Sequence, residues 1–230
     1  MALKPIPTDI RFITVDSPLV VGFTGLAKSG KDTAAKAIAS TLETIYGTKF
    51  EMLSFASPIR EIGKVFGYTD EQMSNQSLKE TYLGNKITNV TPRTFMQMVG
   101  TDMFRNCLDT DIWVRALESK ITDKVCGLHS ELISGGATWK PCKVYFITDV
   151  RFPNEAEAIR KHKGIVVRVD REQEIQEKSN EWRKHESEKA MSEIIPDCLW
   201  INDSNSALTW CSKSIGLFDS VMKEMHIEFN

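Results

Sequence analysis

The sequence predicts an α/β three-layer sandwich on a five-stranded parallel sheet. Three observations carry this: five short apolar runs, amphipathic stretches between them, and a glycine-rich bend directly after the first run. The runs cover residues 19–24, 50–55, 144–148, 165–169 and 198–201. Each has strand length and is largely apolar, as expected of strands covered on both faces. Ligands of such sheets bind beyond the carboxyl ends of the strands, so functional residues should follow the runs.

Between the runs the apolar spacing becomes helical. Over 31–46, Ala34, Ala35, Ile38, Leu42 and Ile45 form one stripe at steps of three and four. The second and third runs are separated by about ninety residues, too many for an ordinary crossover. Helical spacing recurs there over 58–66, 70–82, 92–107 and 111–125, with Thr91 as N-cap and Pro92 at the first helical position. This predicts an all-helical insert at 57–130 within a single domain whose core is 18–56 and 142–230. A further helix is expected over 153–163, ending at Gly164 in the left-handed cap conformation. Residues 171–190 are almost wholly polar and read either as a solvated helix or as a mobile lid. An amphipathic helix over 207–225, weakened at Gly216, completes the chain as given.

Composition narrows the function classes. With 41% hydrophobic and 26% charged residues the chain has a globular make-up, and 230 residues can bury a full core. Lys and Arg number 29 against 31 Asp and Glu, so no global field draws in a nucleic-acid polymer, and any anion site is local. Five scattered cysteines fit reduced thiols in a cytoplasm. Residues 1–17 lack a signal peptide's apolar stretch, and no apolar run is long enough for a bilayer, so a soluble intracellular protein is expected, not a membrane one.

The sharpest signal is Gly25-Leu26-Ala27-Lys28-Ser29-Gly30-Lys31-Asp32-Thr33, placed between the first strand and its helix. Glycines let the backbone curl so that successive N–H groups converge on phosphate oxygens. The helix N-terminus adds partial positive charge, and Lys31 can reach the terminal phosphates. Asp32 stands where a phosphate loop usually has Ser or Thr, with Thr33 one place later.

Two further clusters follow strand runs or sit in the insert. In Thr148-Asp149-Val150-Arg151-Phe152-Pro153-Asn154-Glu155, Asp149 can hold magnesium and Arg151 can clamp phosphate. The plainer reading makes Asp149 a helix cap and pairs Arg151 with Glu155. On the helix expected at 92–107, Arg93, Gln97 and Thr101 fall four apart on one face, with Arg105 drifting round its edge. That stripe suits an acceptor monophosphate and the hydrogen-bonding edge of its base, or else it simply faces solvent.

Taken with Ser54-Phe55-Ala56-Ser57-Pro58-Ile59-Arg60-Glu61 and His185-Glu186-Ser187-Glu188, these blocks occur in the order seen in bacteriophage-type deoxynucleoside monophosphate kinases, which the chain resembles over roughly 18–205. The resemblance implies a P-loop kinase fold with an acceptor-binding helical insert and a lid at 171–190. It implies ATP and Mg²⁺ as cofactors, a deoxynucleoside 5′-monophosphate as acceptor, and no polymer or membrane partner. Gly25, Ala27, Lys28, Ser29, Gly30, Lys31, Asp32 and Thr33 would hold ATP phosphates. Lys31, Asp149, Arg151 and a lid arginine, Arg183 or else Arg171, would act on the transferred group, with Thr33 and Asp149 at the metal. Arg60, Arg93, Gln97, Arg105 and Glu188 would serve the acceptor. A homodimer is compatible with this reading, and the compartment would be the host cytoplasm if the source is viral.

The phosphate loop reads only the donor, so two alternatives stay open: another small-molecule kinase, of dephospho-coenzyme A or phosphomevalonate type, and a nucleotide-binding regulatory or motor module. Base preference is not encoded in these motifs. Trp113 or Phe55 could contact the sugar near its 2′ carbon, although Trp113 also fits the core.

Overall fold

The computed structural model describes residues 11–12, 18–81, 87, 89–122, 142–171 and 186–229. Contacts group the chain into two compact units, Met1–Leu53 with Ile121–Asn230, and Ser54–Lys120.

The strands are β1 (Arg11–Phe12), β2 (Leu19–Thr24), β3 (Lys49–Leu53), β4 (Cys142–Ile147), β5 (Ile165–Arg171), β6 (Cys198–Asn202) and β7 (Ile227–Glu228). β2 to β6 form a parallel sheet in the order β3-β4-β2-β5-β6, the expected five-stranded architecture. Gly22 of the central strand pairs with Ile147 of β4 on one side and Val166 of β5 on the other. β1 and β7 form a separate two-stranded parallel pair.

The helices are α1 (Lys31–Tyr46), α2 (Ser57–Val65), α3 (Asp70–Ser74), α4 (Gln76–Lys79), α5 (Pro92–Gln97), α6 (residues 112–122), α7 (Pro153–Lys161), α8 (Glu186–Glu193) and α9 (Ala207–Glu224). Side chains alternate across the central strand, which assigns the layers. Leu19, Val21 and Phe23 share one core with Ala35, Ile38 and Leu42 of α1 and with Trp210, Phe218 and Met222 of α9. Gly22 faces the other way, where α7 comes so close that a methyl group on Gly22 would lie 2.3 Å from Ile159 Cδ1. Helices therefore cover both faces, and every side chain of β2 is shielded from water.

The junction before β5 corrects one expectation. The left-handed residue after α7 is Lys163, at φ 55°, not Gly164. Gly164 is needed for space instead, because a methyl there would lie 2.3 Å from the Val20 carbonyl oxygen.

In the unit Ser54–Lys120, Met73 is fully buried and Tyr68 and Phe95 nearly so, with the two rings 4.9 Å apart. The single helix expected over 70–82 is two short ones, broken at Asn75, whose extended backbone (φ −72°, ψ 125°) ends the first and whose side chain caps the second. α5 begins as expected, with Thr91 accepting from the Thr94 N–H and Pro92 at the first position. It does not continue to Cys107 as an α-helix, because Met98–Asn106 winds as a π-helix. One hydrogen bond anchors this segment, from the Trp113 indole to the Gly100 carbonyl at 2.7 Å, and Gly100 itself is needed for space, since a methyl there would meet Ile59 Cδ1 at 2.7 Å.

Candidate functional site

Six residues connect the central strand to α1, and three of them have positive φ: Gly25 at 130°, Lys28 at 64° and Gly30 at 105°. Gly25 is required on two counts, its backbone angle and the Val169 carbonyl oxygen, which a methyl there would approach to 2.2 Å. Gly30 is the N-cap of α1 and has no side chain to satisfy the first turn, whose N–H groups lack intrahelical acceptors. Ser29 is wholly buried. Lys31 Nζ donates to the Leu26 carbonyl at 2.5 Å and lies 3.3 Å from Ser29 Oγ, so its ammonium curls back over the bend. Ala27 and Lys28 form the turn at the tip, and Lys28 is exposed.

Two residues that sequence reasoning missed support this bend from behind. Asn202, the last residue of β6, donates from Nδ2 to the Ser29 carbonyl at 2.9 Å. Trp210, in the first turn of α9, donates from Nε1 to the Gly30 carbonyl at 2.9 Å. Both are buried. The signal for Asn202 was its place at the carboxyl end of a strand run. Trp210 read only as one residue of an amphipathic stripe. Next to Asn202, Asp203 Oδ1 accepts from Lys213 Nζ of α9 at 2.6 Å, a bond that holds the Asp203 carboxyl below the usual carboxylate range.

The end of β4 is tied to the same bend. Thr148 Oγ1 donates to Asp32 Oδ1 at 2.5 Å, which brings the residue preceding Asp149 against the first turn of α1. The Val150 N–H donates to the Phe23 carbonyl of the central strand at 3.2 Å. Glu155 is buried, and its Oε2 accepts from the backbone N–H groups of Arg151 at 2.7 Å and Phe152 at 3.1 Å. The departure at position 32 thus has a structural role, since the carboxylate binds a hydroxyl from a neighbouring strand end. Thr33, half-buried, follows it in the first turn.

The insert residues lie in the unit Ser54–Lys120. Arg60 is on α2, and Arg93 and Gln97 are on α5, all partly exposed. Arg93 Nε lies 2.7 Å from Glu80 Oε1, an ion pair without hydrogen-bond alignment. Thr101 and Arg105 are in the π-helix and are buried. Trp113 belongs to the core, 6% exposed and 5.3 Å from the Phe104 ring, and Phe55 is buried as well. Arg183 and His185 lie outside the described residues. Glu188 falls on α8, with its side chain outside them. Arg171, the other lid arginine considered, ends β5.

A central parallel strand that runs through such a bend into a helix N-terminus defines a P-loop nucleotide-binding protein. The family model for deoxynucleotide monophosphate kinase matches residues 61–208. The chain belongs to that family, and it is a phosphotransferase. A provisionally named deoxynucleotide monophosphate kinase of Acanthamoeba polyphaga mimivirus is 31% identical over 163 residues, covering 66% of this chain and 74% of its own. The deoxynucleoside-5′-monophosphate kinase of Escherichia phage T5 is 27% identical over 195 residues, covering 62% and 72%. Among solved structures, the protein designated APE1195 superposes with a TM-score of 0.40 over 90% of this chain and 98% of its own, at 14% identity. The APS kinase CysC of Mycobacterium tuberculosis gives 0.38 over 88% and 98%, also at 14% identity. No described helix is long and apolar enough to cross a membrane.

Proposed function

We propose that this chain transfers the γ-phosphoryl group of ATP to a deoxynucleoside 5′-monophosphate, giving a deoxynucleoside diphosphate and ADP. The observation that carries this reading is the bend Gly25–Gly30 feeding α1 with Lys31 folded over it, within a chain of this family.

Phosphoryl transfer needs little covalent help from a protein. Two anions must be held in line while charge developing on the equatorial oxygens is neutralised. An acceptor phosphate oxygen attacks the γ-phosphorus, the bond to the β–γ bridging oxygen breaks, and no covalent enzyme intermediate forms. Gly25, Ala27, Lys28, Ser29, Gly30, Asp32 and Thr33 hold the donor phosphates, and Lys31 swings from its Leu26 contact onto the terminal ones. Arg151 and a lid arginine, Arg183, neutralise the transferred group. Arg60, Arg93, Gln97, Arg105 and Glu188 bind the acceptor, with 57–130 as the acceptor-binding insert and 171–190 as the lid.

The residues at the bend suit magnesium. Thr33 offers a hydroxyl and Asp149 a carboxylate, both hard oxygen donors, and the Thr148–Asp32 bond brings their two segments together. Thr33 and Asp149 would hold the ion together with phosphate oxygens, and when bound it supplies further charge neutralisation.

The test is a coupled assay with ATP and each common deoxynucleoside and nucleoside monophosphate. ADP should form only with an acceptor present, and fastest with one or more deoxynucleotides. ADP release at the same rate without acceptor, or only with an unrelated phosphate ester, overturns the proposal.

A further inference from the structure

We propose that Asn202 and Trp210 are positioning residues for the donor: each holds one peptide plane of the phosphate loop so that its N–H faces the phosphates. This rests on the donor-site reading above and adds to it the device that orients the amides.

The argument begins with the peptide bond, which is planar and trans, so a carbonyl and the N–H of the same plane point in opposite directions. The Ser29 carbonyl shares its plane with the Gly30 N–H, and the Gly30 carbonyl shares its plane with the Lys31 N–H. Asn202 Nδ2 holds the first carbonyl and Trp210 Nε1 the second, both at 2.9 Å. The Gly30 and Lys31 N–H groups therefore point away from β6 and α9, toward the side where α1 begins.

The Gly30 carbonyl also accepts the Ala34 N–H of α1 at 2.9 Å, so Trp210 reinforces a plane that the helix already holds. Asn202 supplies the bond described at the Ser29 carbonyl, where a glycine at φ 105° follows and resists rotation little. A flipped plane presents a carbonyl oxygen to the phosphates, turning attraction into repulsion. The two donors also explain why residue 30 has to be glycine: a methyl there would lie 2.6 Å from Trp210 Nε1 and 2.7 Å from Asn202 Nδ2. Asn202 is itself oriented, since its Oδ1 accepts from the Ser204 N–H at 3.2 Å, which turns Nδ2 toward the loop. Asn202 is 6% exposed and Trp210 2%, so both donor side chains are withdrawn from bulk water.

The experiment compares the full chain with Asn202→Leu and Trp210→Phe, which remove the donors and keep much of the bulk. Calorimetric titration with ATP and with inorganic tripolyphosphate reports the cradle itself, and steady-state kinetics give donor and acceptor KM separately. Folded variants should bind both polyphosphates roughly tenfold more weakly, the loss expected for one charge-assisted hydrogen bond, with the acceptor KM unchanged. A merely structural role would move thermal stability or both KM values together.

Variants that bind ATP and tripolyphosphate as the parent does overturn this inference and leave the proposed function standing. A parent chain that binds neither polyphosphate overturns the donor-site reading and this inference with it. Loss of the fold in both variants also refutes the proposal, because it makes the two side chains braces of the core.

Discussion

Replacing Gly25 with alanine tests the phosphate loop at its most constrained point. The added methyl would lie 2.2 Å from the Val169 carbonyl oxygen, against 3.4 Å where ordinary contact begins, so the backbone must shift by about 1.2 Å. Val169 cannot yield, because it is fully buried in β5 and its register partner in β6 is Trp200. The loop moves instead. An L residue at φ 130° adds strain of about 1–3 kcal/mol, and relieving the overlap adds about 1–3 kcal/mol more. At about 2–4 °C per kcal/mol for a chain of this size, Tm should fall by about 4–24 °C. A displacement of about 1 Å in a positioning element can cost up to about a hundredfold in rate, and here it should appear in the donor KM and kcat while the acceptor KM stays put. Differential scanning calorimetry and two-substrate kinetics read these effects. Parental Tm and donor KM in Gly25→Ala would refute the claim that the bend is sterically determined.

Lys31→Ala should reduce kcat by at least about a hundredfold; near-parental turnover removes Lys31 from the reaction. Asp149→Asn should weaken the magnesium dependence of turnover, and an unchanged magnesium titration excludes Asp149 from the metal site, since α7 is capped at Phe152 and not at Asp149. Arg93→Ala should raise the acceptor KM by about tenfold through loss of a charge-assisted contact while leaving the donor KM alone, whereas an unchanged acceptor KM excludes it from that site. Burial, with Asp197 and Glu224 nearby, pushes the Cys198 thiol up to about 11. It should therefore stay protonated and alkylate slowly at pH 8, well behind exposed Cys107, and gain reactivity only as pH approaches 11. Equal labelling of the two at pH 8, read by mass spectrometry, would contradict this.

Much of the fold was legible because both faces of the sheet are covered. Val20, Val21 and Phe23 had to be apolar in succession, so β2 announced itself, and α1 followed from a stripe of alanines, Ile38 and Leu42 that packs on it. Periodicity failed where a local interaction overrode it. The four-residue spacing from Arg93 predicts a continuous α-helix, yet Met98–Asn106 takes another winding, anchored by the Trp113 indole from elsewhere in the chain. The spacing over 70–82 predicts one helix through Asn75, although the Asn75 side chain caps a second helix that begins there. The phosphate loop was visible as a contiguous string. Its supports were not, since Asn202 and Trp210 lie 173 and 180 residues away from the carbonyls they hold, and no local pattern records such a pairing.

The winding of Met98–Asn106 changes the rotational phase along the stripe proposed for the acceptor. In an α-helix every four-residue step overshoots a full turn by about 40°, so Arg105 would trail Arg93 by about a third of a revolution. With i→i+5 bonding a turn takes more than four residues, so each such step falls short and the accumulated rotation is returned. Burial differs along the row: Arg93 and Gln97 on α5 are partly exposed, whereas Thr101 and Arg105 within the wider winding are buried. Deleting Val99 or Met103 would rotate every later residue relative to Arg93 without removing a polar side chain.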